Sequence, residues 1–255
     1  MWDFSSCFGG HMIRFILVLS FLILFLIFSI PLAIALWLIG KKNPTLKDSI
    51  SQAVIKWAFS CCNFMAGAKV DYIGLENIPK EGAFLYVGNH KSYFDILLTY
   101  MCFPNPTGYV AKAEMEKVPL LATWMRNIHC LFLDRKNIKE GMKAILKGIE
   151  EIKSGISICI FPEGTRNKNP DELLPFHEGS FRMAEKAKCP IIPICINNSN
   201  ALWENQLPCM KKSHVIIEFG KPIHIDELSK EDRKFLGAYV RKELQAVYNR
   251  NKTLI

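Results

Sequence analysis

The sequence carries none of the common nucleotide, metal or serine-hydrolase signatures. No two glycines are separated by a single residue, so the dinucleotide fingerprint G-x-G-x-x-G is missing. G-x-x-x-x-G-K-S/T is missing too, which argues against a P-loop nucleotidase. Without G-x-S-x-G there is no nucleophile elbow for a serine hydrolase. H-E-x-x-H is absent and the 6 histidines are scattered, so no metal constellation presents itself. The 9 cysteines form no C-x-x-C pair, and an odd number makes neither a disulfide framework nor a zinc site. Most lie in apolar segments and read as small core residues in a reducing compartment. The sequons at Asn197 and Asn251 then carry no meaning. There is no internal repeat and no low-complexity linker.

Charge is missing from one long stretch: nothing between Phe15 and Ile39 is charged. As a helix this run would extend about 37 Å, enough for a hydrocarbon core of about 30 Å. A cleaved signal peptide would have a shorter apolar region and a small-x-small cleavage site. Pro31 sits inside the run and is expected to bend or break it. Only Asp3 and Arg14 are charged in residues 1–40, so the whole net charge of +8 falls on residues 41–255. Lys41, Lys42, Lys47 and Lys56 follow the apolar run, and by the positive-inside rule the body is expected on the cytoplasmic side of a membrane. After Gly40-Lys41-Lys42-Asn43-Pro44, residues 45–66 carry Ile50, Val54, Trp57, Ala58, Cys61 and Phe64 at helical spacing. This helix either lies on the membrane surface or packs on the domain. The division expected is a membrane-associated helical segment over 1–66 and one domain over 67–255.

Within that domain, Ala83–Gly88, Ile156–Phe161, Pro190–Ile196 and Val215–Phe219 are short apolar runs between turn signals, and read as buried strands. Asn137–Ser154 reads as a helix, with Asn137 as cap, Ile145, Ile149 and Ile152 on one face, and Gly155 after its end. Residues 179–188 read as a short helix and 226–249 as a closing one, whose Ser229-x-x-Asp232 is a capping box. Strands alternating with helices predict an α/β domain with a largely parallel central sheet.

Two segments carry chemistry. Asn89-His90-Lys91-Ser92-Tyr93-Phe94-Asp95 follows the first strand. On one continuous helix, residues five apart stand about 140° from each other. If the helix starts at Ser92, His90 lies in the preceding loop and Asp95 in the first turn, and the two can meet. A carboxylate on one imidazole nitrogen fixes the tautomer and makes the other a better base. The same residues also fit a capping box with no chemical role. Phe161-Pro162-Glu163-Gly164-Thr165-Arg166 closes the second strand, at the edge where α/β sheets bind ligands. It offers either a guanidinium for a phosphate or a solvated Glu–Arg surface pair.

In this order the two segments resemble the glycerolipid acyltransferases, in particular the 1-acylglycerol-3-phosphate (lysophosphatidic acid) acyltransferases. Further blocks stand in the family's order: Val110-Ala111-Lys112-Ala113-Glu114 with Val118-Pro119, then Cys130-Leu131-Phe132-Leu133-Asp134-Arg135, then Pro190-Ile191-Ile192-Pro193. The resemblance covers about residues 70–220. It implies a single acyltransferase domain that moves a fatty acyl group from acyl-CoA or acyl carrier protein to the sn-2 hydroxyl of lysophosphatidic acid. His90 and Asp95 are then catalytic, and Lys112, Arg135, Glu163, Gly164, Thr165 and Arg166 bind the phosphate and glycerol. Glu163 would hold the glycerol hydroxyl or orient Arg166. The partners implied are the phospholipid bilayer, the lysolipid and the thioester donor. No cofactor, no metal and no nucleic acid are expected. Two positions depart from the family: His177 stands where a lysine is usual, and Asn127-Ile128-His129-Cys130 where a glycine is common. His129 itself reads as structural. Open alternatives are another lysolipid or glycerol 3-phosphate as acceptor, a membrane-anchored thioester hydrolase with the same His–Asp pair, and a silent lipid-binding protein.

Overall fold

Helix α1, Gly10–Phe28, is built almost wholly of Leu, Ile and Phe, and most of these side chains remain exposed. The computed structural model describes residues 10–255, so residues 1–9 of the N-terminal segment lie outside the described residues. The expected break falls at Ser29, where α1 gives way to α2, Ile30–Gly40, with Pro31 in its first turn. Proline has no N–H to continue the helical ladder. The Ser29 hydroxyl at the break accepts the indole N–H of Trp124 at 2.8 Å. Asn43 then caps α3, Pro44–Ala66, and Gly67 ends it in the left-handed region at φ 77°. The buried stripe of α3 is Ser51, Ile55, Ala58, Cys62 and Ala66, a spacing of three and four that gives one continuous face.

Seven strands follow: β1 Ala68–Ile73, β2 Leu85–Gly88, β3 Thr107–Lys112, β4 Leu131–Leu133, β5 Ser157–Ile160, β6 Ile191–Asn197 and β7 Ser213–Phe219. They form one sheet in the order β1-β7-β6-β2-β5-β3-β4. Every neighbouring pair is parallel except β6–β7. The largely parallel sheet is therefore present. β1 and β3 do not stand out in the sequence, because β1 alternates Lys69 and Asp71 with its apolar residues and β3 is broken by Gly108.

The helices between the strands are α4 Phe94–Tyr100, α5 Pro119–Asn127, α6 Ile138–Lys153 and α7 Arg182–Ala187, and α8 Lys230–Lys234 and α9 Leu236–Asn251 follow the last strand. The closing helix expected over 226–249 is in fact two. Ser229 caps α8, the chain turns at Phe235, and α9 starts afresh. The Glu178 carboxylate caps α9 from outside, accepting the Gly237 and Ala238 N–H groups at 2.9 and 3.2 Å.

One core cluster joins Val18, Leu36 and Ile55 of the first three helices to Tyr86, Ile192, Ile194 and Val215 of the sheet. A second cluster lies among Leu85, Val87, Ile158, Leu131, Ile152 and Val240, so α6, α7 and α9 cover the other side. Among the described residues, seven cysteines are free, five of them buried, as their apolar context suggests. His129, at φ 58° before β4, sits between Glu151 of α6 and Asp48 of α3, each 3.0 Å from a ring nitrogen. Its role there is structural, tying α3 to the far side of the sheet.

Candidate active site

Strands β6, β2, β5, β3 and β4 all point the same way, so their C-terminal ends share one edge. His90 follows β2, Glu163–Arg166 follow β5, Lys112 ends β3 and Arg135 follows β4. The topology thus brings residues far apart in sequence to one edge, where ligands of such sheets bind.

The turn before α4 settles how His90 and Asp95 relate. The helix starts at Phe94, with Asp95 in its first turn and His90 in the loop ahead of it. His90 Nδ1 lies 2.7 Å from Asp95 Oδ2. The same oxygen accepts the N–H groups of Lys91 at 2.7 Å and Ser92 at 2.9 Å, and Asp95 Oδ1 accepts the Ser199 hydroxyl. An oxygen already taking two amide N–H bonds is an acceptor, so Nδ1 must be the donor. The lone pair then sits on Nε2. Asp95 is fully buried, whereas the His90 side chain keeps 17 % of its surface exposed. Its ring stacks on Phe161 at a centroid distance of 4.4 Å and 9° between planes, which fixes the ring a second way.

Asn89 anchors the loop from behind. Its side chain donates to the Ile196 carbonyl and accepts the Ile196 N–H, each at 2.8 Å, mimicking a strand rung between β2 and β6.

Glu163 is buried and committed to the backbone. It accepts the His90 N–H at 2.8 Å and the Leu174 N–H at 2.9 Å. Burial pushes its carboxyl above the usual range, against those two bonds. Of the two roles read from the sequence, orientation of Arg166 is not what it does: Arg166 pairs with Glu204 at 3.3 Å instead. Glu163 thus ties the His90 loop to the loop over 167–175. Lys91 also holds that loop, through its ammonium on the Asn169 carbonyl. Burial pulls the Lys91 ammonium below the usual range, opposed by Glu163 and Asp95 nearby.

Gly164 has φ 72°, a left-handed conformation that favours glycine. A Cβ there would stand 3.0 Å from an Arg135 nitrogen and 3.1 Å from His177 Nε2. Glycine therefore lets the Arg135 guanidinium and the His177 imidazole close over the turn. Thr165 and Lys112 are exposed. Burial lowers the Arg135 guanidinium from its usual range, against the pull of Glu114. The structure brings Arg135, Gly164 and His177 together; it puts Arg166 on the other side of the turn, its guanidinium 3.8 Å over the Tyr93 ring. Beside Arg135 and His177 opens a cavity of about 360 Å³ lined also by Leu133, Met142, Ile145 and Phe161.

Ser199 and Glu204 were not legible as site residues. Ser199 falls in a sequon and Glu204 in no motif; the one available signal is that both follow the C-terminal end of β6, at the same edge.

A profile of the Acyltransferase family matches residues 69–197. The 1-acyl-sn-glycerol-3-phosphate acyltransferase of Saccharomyces cerevisiae is 29 % identical over 75 % of this chain, and the match spans 64 % of the yeast protein. The Borreliella burgdorferi protein of the same name is 30 % identical over 71 % of this chain and 72 % of its own length. In three dimensions the chain is similar to the crystal structure of the 1-acyl-sn-glycerophosphate (LPA) acyltransferase from Thermotoga maritima. The TM-score is 0.80 over 95 % of this chain and 96 % of that one, at 23 % identity. Sequence and fold converge on one conclusion: the chain belongs to the acyltransferase family.

Proposed function

We propose that this protein transfers a fatty acyl group from acyl-CoA or acyl carrier protein to the sn-2 hydroxyl of 1-acylglycerol 3-phosphate, giving phosphatidic acid. The observation that carries the reading is the His90–Asp95 pair, with its carboxylate held by four donors beside basic side chains at one sheet edge. Four donors on Asp95 make His90 a base of fixed tautomer and direction. Nε2 takes the proton from the acceptor hydroxyl as its oxygen attacks the thioester carbonyl. When the tetrahedral intermediate collapses, the C–S bond breaks and the proton on Nε2 passes to the leaving thiol. Ester and thiol balance hydroxyl and thioester, so the route calls on no cofactor.

Ser92 does not serve as the nucleophile in this scheme. Its hydroxyl donates to Glu204 at 2.6 Å and accepts the Phe94 N–H at 3.0 Å. In this reading the acceptor phosphate enters between Lys112 and Arg135 on one side of the Gly164–Thr165 turn and Arg166 on the other, residues from the ends of the neighbouring strands β3, β4 and β5.

The acceptor is a membrane lipid, and α1–α3 serve as the membrane-associated layer. Phe28, Trp37, Trp57 and Phe64 are 76, 60, 58 and 86 % exposed, a concentration of large exposed apolar side chains on three helices that fits contact with lipid. α1 is long and apolar enough to cross a membrane. It is also tied to α3, by Arg14 on the Met65 carbonyl, and to the domain near both of its ends, by the Met210 N–H on the His11 carbonyl and the Trp124 indole on Ser29. These ties favour a segment lying in one leaflet, and the lysines that follow the apolar run favour the body on the cytoplasmic side.

The test is direct. Purified full-length protein is given labelled thioester donor and a panel of lysolipids, glycerol 3-phosphate and neutral monoacylglycerol, with products identified by mass spectrometry. Phosphatidic acid from 1-acylglycerol 3-phosphate is the expected product. Thiol release at the same rate without acceptor would identify a hydrolase instead.

A further inference from the structure

The turn that follows β6 reaches both halves of the site, and nothing in the family blocks assigns it a role. Glu204 opens a short 3-10 turn there, and only 15 % of its side chain is exposed. Its Oε2 accepts the Ser92 hydroxyl at 2.6 Å. Its Oε1 accepts the Tyr93 N–H at 2.8 Å and an Arg166 N–H at 3.3 Å. One carboxylate therefore holds the N-terminus of α4, which carries Asp95, and the guanidinium proposed to meet the phosphate. Tyr93 adds a second constraint, since its ring lies under the same guanidinium. The neighbouring Trp203 seats the turn, with its ring 5.7 Å from Tyr93 and 5.9 Å from Phe15 of α1.

We infer that Glu204 is a positioning residue for the acceptor: it aims Arg166 at the phosphate while locking the start of α4. The inference rests on the cradle reading given above. Guanidinium has five donors in a rigid plane. Glu204 takes one edge and Tyr93 one face, and the remaining edge of the fork stays available for a phosphate. A flexible arginine would have to be ordered by the substrate at each encounter; here the protein does this beforehand. The same carboxylate lowers the positive potential at the site, so its benefit is in direction and not in attraction.

The test uses Glu204→Gln, which keeps the shape and one acceptor oxygen but loses the charge that holds Arg166. The quantity read is kcat/KM for 1-acylglycerol 3-phosphate divided by that for 1-monoacylglycerol, with donor KM measured alongside. Losing one charge-assisted contact should lower this ratio about five- to tenfold, with donor KM unchanged. In an Arg166→Ala background the same substitution should leave the ratio unchanged, because the group it aims is gone. A merely structural role would lower both acceptors equally and persist in that background; this outcome overturns the inference. If Arg166→Ala alone leaves the ratio intact, the cradle reading fails first. If Arg166→Ala lowers it and Glu204→Gln does not, only the role of Glu204 fails.

Discussion

Around the end of β2 the charged groups are matched: Asp95 takes four donors, Glu204 beyond β6 three and Glu163 beyond β5 two. On the β3–β4 side the pattern reverses. Among the described residues, the side chains of Lys112, Arg135 and His177 make no hydrogen bond or ion pair, and a cavity of about 360 Å³ opens beside the last two. Both flanks sit at the ends of strands in one sheet, so the difference lies in their side chains. A closed flank keeps a geometry, since each bond restricts its partner. An open flank keeps donors unspent for something that arrives from outside. The comparison separates what holds the base from what stays free for the acceptor, with Arg166, paired to Glu204, between the two.

Breaking the closed flank should do the most damage. His90→Ala is expected to lower turnover by at least about 10²-fold, the usual contribution of a general base, with the thermal melt unchanged. Asp95→Asn should lose both activity and stability, because an amide places N–H groups against donors on a fully buried site. Retained stability would show that the Ser199 and backbone bonds to Asp95 matter less than drawn.

The open flank should respond differently. Arg135→Ala and Lys112→Ala are each expected to raise the acceptor KM about tenfold, at about 1.4 kcal/mol per tenfold, with donor KM and melting temperature little changed. Equal effects on donor and acceptor would show that these cations shape the fold and not the cradle.

The sequence foretold this arrangement unevenly. Buried parallel strands are legible because both faces are apolar, so β2, β5, β6 and β7 stand out as continuous runs. β1 and β3 lack that pattern, and sheet order is nowhere written locally. The His90–Asp95 pairing was legible once a helix start near Ser92 was allowed, since short spacing across a helix start brings two side chains together. Glu163 was visible as a motif residue, but its backbone partners at His90 and Leu174 belong to loops whose approach no local pattern records. Ser199 and Glu204 stayed hidden for the same reason. They reach Asp95 and Arg166 only because β6 lies next to β2 in the sheet, and that adjacency is tertiary.

The first three helices extend the comparison to the protein surface. Phe28→Asp and Phe64→Asp each remove an exposed apolar side chain worth about 1.5–3 kcal/mol if buried in lipid. Each should reduce partition onto anionic phospholipid vesicles by about tenfold or more, measured by sedimentation. Unchanged partition would remove these side chains from the membrane contact.

The smallest expected effect concerns His129. Burial opposes its charge, but Glu151 and Asp48 beside it hold its pKa above the usual 6.5. That stabilisation is fully present below about 6.5 and is lost as pH rises through the higher folded value. Glu151 has the opposite sense: burial raises it, but His129 brings it below 4.5, so its contribution disappears only in acid. The melting temperature should therefore fall modestly as pH rises beyond about 6.5, and His129→Gln should flatten that slope. An unchanged slope would mean that the two carboxylates do not stabilise the charged imidazole.

The central claim is that His90 delivers the acceptor hydroxyl directly to the thioester, with no acyl group ever carried by the protein. Intact-protein mass spectrometry after mixing enzyme with thioester donor alone tests this most directly, with free thiol followed in parallel. The account predicts no mass gain and no stoichiometric burst of thiol until 1-acylglycerol 3-phosphate is added. A protein heavier by one acyl group, formed before any acceptor is present and lost when it arrives, would contradict it.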